Sequence, residues 1–244
     1  EEKPTISSDV LQRSQNLDAA GSGSEMITVS GDVPYPLRYQ VDVEVTDVSN
    51  LSVADSQSFT VLPNHQLIGL KSKFVANVNQ AFPVEVIVTD VEGKSINNVP
   101  VKLELQKMNY SSITRVVEGG QTNRNQLEYE TVDTVDVRSG NTAKTVELTA
   151  RESGSYRIQA RFASDPLNTP KATDIQIWIT GDSPVSWGNR YDNRLEIKLD
   201  RDNYQPGDIA TALIQSPYGE GELFFAVIRD RILYKTLIPV KGGA

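Results

Sequence analysis

Residues Gly154-Ser-Tyr-Arg-Ile-Gln-Ala-Arg-Phe162 decide the fold, because apolar and polar side chains alternate strictly from Tyr156 onward. Strict alternation is typical of a β-strand with one buried face. Turn-forming residues separate such stretches, and no window of a dozen residues has apolar positions at helical spacing. The sequence therefore predicts an all-β fold, and we favour an antiparallel sandwich over a barrel. The same alternation recurs between His65 and Gly181 at Val84–Val88, Val101–Leu105, Val146–Leu148 and Ile175–Ile179.

Tyr156 opens the clearest of these strands, two residues after Gly154. In immunoglobulin-like sandwiches, a tyrosine near the start of a late strand bonds its hydroxyl to nearby backbone. The alternative is a half-buried strand tyrosine without that role. The sequence leaves both open.

An upstream segment repeats this pattern. Tyr39 begins a similar alternating stretch 117 residues before Tyr156, and the next strand ends at Pro63, 118 residues before the corresponding end at Gly181. Two nearly equal intervals indicate a repeat of about one sandwich domain. We therefore expect tandem immunoglobulin-like or fibronectin-III-like antiparallel β-sandwiches.

Further strands are expected on both sides of the central unit. Glu25–Ser30 and Ser56–Val61 are predicted strands that follow a polar stretch with a flexible loop at Ala19–Ser24. The strand pair in Leu195–Ile214 resembles the pair in Leu67–Val88. The resulting domains are residues 1–64, the rear of one sandwich; 65–181, a complete sandwich; 182–194, a linker; and 195–244, the front of a third.

Leu223–Ile228 is apolar at every position, so both faces of this strand are predicted to be covered. Such a strand is either central in a sheet or covered by another part of the protein. If nothing pairs with it, we expect it to be the least ordered region or to associate with a neighbour.

Composition excludes several classes of function. The formal net charge is −8 without a basic cluster, which disfavours nucleic acid as a partner. The absence of cysteine removes disulfides, thiolate nucleophiles and cysteine-ligated metals. No apolar run approaches the roughly 20 residues that cross a bilayer. Because the sequence does not begin with Met, we expect a processed or excised piece.

Two groups of residues invite a metal or catalytic interpretation. His65 is the sole histidine, and it lies beside Pro63 and Asn64 without an obvious partner. Asp200, Asp202 and Asp208 faintly suggest calcium, but they lack the glycine of the twelve-residue loop and surround a Tyr-x-Pro-Gly turn. We favour a solvated turn.

Carboxylates and hydroxyls elsewhere are weaker candidates. A pair of carboxylates serves as acid and base in glycosidases, and four candidates lie close together in the sequence: Glu128, Glu130, Asp133 and Asp136. Residues two apart on a strand share a face, however, and such clusters are typical of a solvated face. No nucleophile-elbow pattern surrounds the serines Ser111, Ser112 and Ser186. The sequence therefore predicts no catalytic, metal or cofactor-binding residue, and no cofactor.

Two tryptophans are candidates for contact rather than chemistry. Trp178 is predicted to point outward if Ile175, Ile177 and Ile179 point inward. An outward Trp marks a contact between domains, or it is partly covered by long polar neighbours. Trp187 lies in the expected linker.

Residues 195–233 carry a family resemblance. The runs Leu195–Asp200, Tyr204–Asp208, Ala210–Pro217 and Ala226–Leu233 closely resemble the start of the bait-region domain of bacterial alpha-2-macroglobulins. Upstream, Val88–Gly93 with Val99–Leu103, and Gly154–Ile158, look like a macroglobulin-like domain, and Asp182–Trp187 suits the lead-in to the bait-region domain.

The resemblance implies a scaffold piece of a broad-spectrum endopeptidase inhibitor from the cell envelope, periplasmic or extracellular, whose parent is membrane-anchored in some cases. In that family a protease cuts an exposed bait segment, the shell rearranges, and the enzyme is trapped. Without cysteine this chain carries no Cys–Gln thioester, and the bait cleavage position is not identified. The implied partners are proteases, through the full-length protein, and other domains of the same chain. Neither nucleic acid nor membrane is expected to contact this piece.

Two other classes remain open. A surface adhesin or generic binding module fits the central sandwich equally well. An accessory domain of a carbohydrate enzyme would need exposed aromatic side chains, such as Trp178 or Trp187, to bind sugars.

Overall fold

A computed structural model describes residues 11–29, 35–117, 120–166, 171–183, 185 and 194–242, with the backbone alone at 111–117 and 120–125. The described residues form fourteen β-strands and contain no helix. None of these segments is therefore a helix long and apolar enough to cross a bilayer. The strands are β1 Leu37–Thr46, β2 Ser52–Val61, β3 Gln66–Ser72, β4 Val75–Asn77, β5 Ala81–Asp90, β6 Pro100–Val117, β7 Gly120–Arg138, β8 Lys144–Thr149, β9 Gly154–Phe162, β10 Thr173–Thr180, β11 Glu196–Leu199, β12 Ala212–Gln215, β13 Glu220–Ile228 and β14 Ile232–Lys241.

Strands β3 to β10 form the predicted central sandwich. One sheet has the order β4-β10-β9-β6-β7 and the other the order β3-β5-β8. All neighbours are antiparallel except β4, which runs parallel to β10. The all-β sandwich fold expected from the alternating pattern is confirmed.

The core of the sandwich is made by the apolar positions of the alternating stretches. Val86, Leu103 and Ile158 are completely buried, and each comes from a different strand. Their polar neighbours in sequence lie on the opposite faces of the sheets, as the two-residue period of a strand requires. The largest fully buried apolar side chains are those of Phe82, Val84, Val86, Val88, Leu103, Leu105, Leu148, Tyr156, Ile158, Ile177 and Ile179.

Tyr156 makes the backbone contact expected of a tyrosine corner. Its hydroxyl donates to the carbonyl oxygen of Glu152 at 2.7 Å, and the side chain is 1% exposed. Glu152 lies in the connection between β8 and β9, which belong to different sheets. The bond therefore fixes the chain where it crosses the sandwich. Burial, with the nearby charges of Glu152 and Glu130, raises the pKa of Tyr156 to about 12.

We expect the substitution Tyr156→Phe to lower the free energy of unfolding by about 1 kcal/mol at pH 7, because the hydrogen bond from the buried tyrosine to the carbonyl oxygen of Glu152 is lost. The folded pKa of Tyr156 lies above its ordinary value of 10.0, so the phenol stabilises the fold below pH 10 and loses that effect as pH rises toward 12. The difference between the two proteins in urea unfolding should therefore shrink from pH 10 to pH 12. A constant difference would contradict this role.

Strands β6 and β7 are far longer than the sequence pattern predicts. The alternation at Val101–Leu105 predicts a short strand, whereas β6 has 18 residues and β7 has 19. The two pair without a break from Pro100 and Arg138 to Val117 and Gly120, apart from a β-bulge beside Leu105. Since β9 pairs with β6 only as far as Lys107, the far part of this hairpin extends beyond the sandwich.

Strands β1 and β2 form a separate hairpin. They pair in register from Leu37 and Val61 to Thr46 and Ser52, which confirms both predicted strands. The rings of Tyr39 and Phe59 stack across the hairpin with their centroids 5.5 Å apart.

The strand predicted at Glu25–Ser30 is wrong for residues 25–29, which have no strand conformation, while Ser30 lies outside the described residues. Met26 is 89% exposed. Within the described residues β1 pairs only with β2, so this segment has no neighbouring strand to satisfy its backbone. Ala19–Ser24, expected as a flexible loop, contains a turn held by the backbone and carboxylate of Asp18.

The C-terminal strands form two separate ribbons, β11-β12 and β13-β14. Strand β13, predicted to be covered on both faces, pairs only with β14 among the described residues. Its apolar side chains are partly uncovered: Phe224 is 65% exposed and Ile228 is 66% exposed. The expectation of a covered strand is therefore not met within the described residues.

The chain divides into two units. One comprises Glu1–Val33 and Leu37–Val61, and the other comprises Pro34–Pro36 and Leu62–Ala244. The central sandwich and the strands β11 to β14 belong to the same unit, which also includes the expected linker 182–194.

Candidate inter-domain contact site

Asp200 and Asp208 close a loop, whereas Asp202 is exposed. Asp200 accepts hydrogen bonds from the Tyr204 hydroxyl at 2.7 Å and from the Thr211 amide at 2.8 Å, and these bonds lower the pKa of its carboxyl group. Asp208 accepts from the amide of Gln205 at 3.0 Å. These carboxylates are used within the turn. The described residues contain no group of three or more candidate metal ligands.

The four carboxylates of β7 do not converge on one point. Each has a different partner: Gln126 for Glu128, Asn109 for Glu130, the backbone amide of Thr149 for Asp133, and Lys102 for Asp136. Three of the four partners lie on the neighbouring strands β6 and β8, and Gln126 lies on β7 itself.

His65 is exposed in the connection after Pro63. A cavity lined in part by its neighbours Asn64 and Gln66 has a volume of about 120 Å³ and is lined largely by apolar groups, including Leu67 and Phe162. Lys171 is the one ionisable group in the described lining. Neither feature supplies a positioned acid and base. Ser186 and Trp187 lie outside the described residues, as do the side chains of Ser111 and Ser112.

Trp178 lies on the outer face of β10, as predicted, and is buried there. Only 8% of it is exposed, and its ring contacts that of Phe74 with centroids 4.8 Å apart and planes tilted by 57°. Leu213 of β12, 4% exposed, packs against it, together with Val75 and Val185. Trp178 is therefore a point where the C-terminal strands contact the central sandwich. It has too little exposed surface for sugar stacking.

Polar groups surround this apolar contact. The Lys198 ammonium lies 5.7 Å from the centroid of the Trp178 ring, within the range of a cation–π interaction. The Ser153 hydroxyl donates to the carbonyl oxygen of Ser183 at 3.2 Å. The first contact joins the sandwich to β11, and the second joins it to residue 183 in the connection after β10.

The end of the segment also returns to this contact. Gly242 has φ +71°, and a Cβ atom placed there would lie 2.1 Å from the carbonyl oxygen of Gly181. Only glycine allows the backbone to approach so closely with this conformation. The connection after β10 is thus contacted by Gly242, which follows β14, and by Ser153 of the β8–β9 connection.

A second feature is a buried polar network on the outer face of the five-stranded sheet. The carboxylate of Glu104 lies 3.5 Å from the Arg161 guanidinium, and both side chains are 9% exposed. Gln106 donates to Glu104 at 2.9 Å and accepts from Arg157 at 2.7 Å. The Arg157 guanidinium lies 3.3 Å from the centroid of the Tyr129 ring. The network therefore crosses β9, β6 and β7.

Sequence reasoning missed this network because every member has the polar character expected of a solvated strand face. The clue available in the sequence was the length of the polar side chains on these strands. In the register of β6 and β9, Arg157 lies opposite Gln106, and Arg161 lies two residues beyond the partner of Glu104. Side chains of this length cover one another at such positions.

The sequence of this chain is similar to that of a known protein. Over all 244 residues the chain is 54% identical to an alpha-2-macroglobulin homolog of a Nostoc species, and it spans 13% of that protein's length. No family model matches the chain.

Two solved structures are also similar to this chain. A Salmonella alpha-2-macroglobulin reacted with methylamine is 14% identical, with a TM-score of 0.45 over 85% of this chain and 14% of the other. The native conformation of Escherichia coli alpha-2-macroglobulin is 14% identical, with a TM-score of 0.46 over 86% of this chain and 15% of the other. Similarity this low carries no argument about function.

The fold of the described residues defines an all-β protein with an antiparallel two-sheet sandwich at its centre. The identity with the Nostoc protein is more specific, since it extends over the whole chain. The chain belongs to the bacterial alpha-2-macroglobulin family.

Proposed function

We propose that this chain is a non-catalytic structural segment of a broad-spectrum endopeptidase inhibitor that encloses proteases after they cut a bait segment. The observation that carries the proposal is the 54% identity over the full length of the chain to an alpha-2-macroglobulin homolog. The carboxylates that invited a catalytic interpretation bond to separate structural partners, which supports a structural role.

We also propose that the chain contains parts of three domains. Residues 1–64 are the rear of one macroglobulin-like sandwich, 65–181 a complete one, 182–194 a linker, and 195–244 the front of the bait-region domain. The exposed apolar faces of β13 and β14 support the last assignment, because such faces require cover from further strands of the same domain. Phe224, Leu233 and Leu237 are 55–65% exposed and mark the surface to be covered.

The contact at Trp178 has a mechanical role in this proposal. A bait cut can rearrange a shell only if the domain that carries the bait is coupled to its neighbours. Trp178, Leu213 and Phe74 supply a packed apolar contact between the central sandwich and the proposed bait-region domain. The chain thus holds the bait-bearing domain in a defined position.

Partners and location follow from the same role. The proposed partners are proteases, through the full-length protein, and neighbouring domains of the same polypeptide. The proposed location is the cell envelope, either periplasmic or extracellular, where foreign proteases are encountered.

The proposal is tested by comparing the isolated 244-residue chain with the full-length protein in a protease assay. The full-length protein should suppress digestion of a large protein substrate by several unrelated endopeptidases at a stoichiometric dose. The isolated chain should suppress none, because enclosure requires the whole shell. Stoichiometric inhibition by the isolated chain would contradict the proposal.

A further inference from the structure

The hairpin of β6 and β7 contains an arm, defined as residues 108–117 and 120–129, that no other described strand supports. Strand β9 pairs with β6 only through Val101–Lys107, and β7 forms the edge of its sheet. The paired backbones nevertheless continue to Val117 and Gly120. At about 3.4 Å per residue, ten residues carry the arm about 30 Å past the last rung shared with β9.

The base of the arm is clamped. Arg157 bonds to Gln106 on one strand and lies over the Tyr129 ring on the other. Asn109 donates to Glu130 at 3.0 Å, and Lys107 pairs with Glu152. These contacts hold both strands at the point where they leave the sandwich, so the direction of the arm is fixed by the sandwich.

Among the described residues, the arm consists of two strands alone, without the further strands that stabilise a sheet. A two-stranded ribbon alone is marginally stable in water, and both of its edges here carry backbone groups without a strand beside them among the described residues. Nine of its twenty residues are Ser, Thr, Asn or Gln, and its charged residues are two arginines and one glutamate. This composition suits neither an anionic lipid surface nor nucleic acid, which require clustered basic residues.

We propose that the arm docks on another domain of the same polypeptide and fixes the position of that domain relative to the central sandwich. The chain spans 13% of the length of its Nostoc relative, so in a polypeptide of that length most residues lie outside this segment. A base held by side-chain contacts and a polar ribbon without clustered basic residues favour a protein surface in a fixed position, with backbone pairing along an arm edge. This inference does not depend on protease trapping.

Amide hydrogen exchange tests the inference directly. Peptides covering residues 108–129 are compared in the isolated chain and in the full-length protein, with peptides of β9 as the internal control. We expect arm amides to exchange at least about tenfold more slowly in the full-length protein, while β9 is unchanged. Equal exchange in both proteins would overturn the inference. So would arm protection that rises with the concentration of the isolated chain, since a second copy would then be the occupant.

A shortened arm supplies the matched variant. Asn109 and Glu128 face each other in register, so residues 110–127 can be replaced by an Asn-Gly turn that closes a tight hairpin. The isolated shortened chain should keep the wild-type unfolding midpoint. The full-length protein with the same change should be cut faster by trace protease between its domains. An unchanged cleavage rate would contradict docking, whether or not the protein still inhibits proteases.

Discussion

Replacement of Trp178 by alanine is expected to lower the free energy of unfolding by about 3 kcal/mol or more and to loosen the C-terminal strands from the central sandwich. The side chain is 8% exposed and fills the space between Phe74 and Leu213, so its loss leaves a cavity on both sides of the contact. Urea unfolding measures the loss of stability, and amide exchange in residues 194–242 measures the loosening.

Substitutions in the C-terminal strands distinguish a weakened contact with the sandwich from a general loss of stability. Leu213→Ala should increase exchange in β12 while the core strand β5 keeps its protection, since Leu213 touches Trp178 and not the sandwich core. Ile209→Ala, at a residue that is 83% exposed, is the control and should change neither. If Leu213→Ala left β12 as protected as before, the contact would not hold the segment.

The substitution Glu104→Leu is expected to destabilise the chain by about 2–4 kcal/mol, because it leaves the Arg161 guanidinium buried without its carboxylate. The double variant Glu104→Leu, Arg161→Met should recover most of that loss, since neither charge then remains. A double-mutant cycle in urea should give a coupling energy of about 2 kcal/mol.

Asp136→Ala provides the comparison for this pair. The ion pair of Asp136 with Lys102 lies on the same sheet, but its carboxylate side chain is 73% exposed, so its loss should change stability by less than about 1 kcal/mol. If Glu104→Leu were as mild as Asp136→Ala, or if the double variant were no better than the single one, burial of the network would not matter to the fold.

The alternating stretches predicted the sandwich because alternation and burial have the same physical cause. Val86, Leu103 and Ile158 point inward wherever a strand has one buried face, and no knowledge of neighbouring strands is needed. Tyr156 was predictable for a similar reason, since its partner Glu152 is four residues away in the chain.

The features that escaped prediction depend on distant partners. The outward side of Trp178 followed from alternation, but its burial depends on Leu213, which belongs to another strand pair. Beyond Lys107 the sequence of the arm shows no strict alternation of apolar and polar residues, so no local pattern indicated that the two strands continue. Residues 25–29 show the reverse case, in which the sequence suggests a strand but none of the described strands lies alongside to pair with it.

Substrate size provides the most direct test of the central proposal, that this chain is part of a shell that encloses proteases. A full-length protein treated with an endopeptidase at equal molar amounts should abolish digestion of a large protein while hydrolysis of a small peptide substrate continues, since only small molecules reach an enclosed active site. Equal loss of both activities would indicate a blocked active site and would contradict enclosure. Retention of both would show that no enzyme is held.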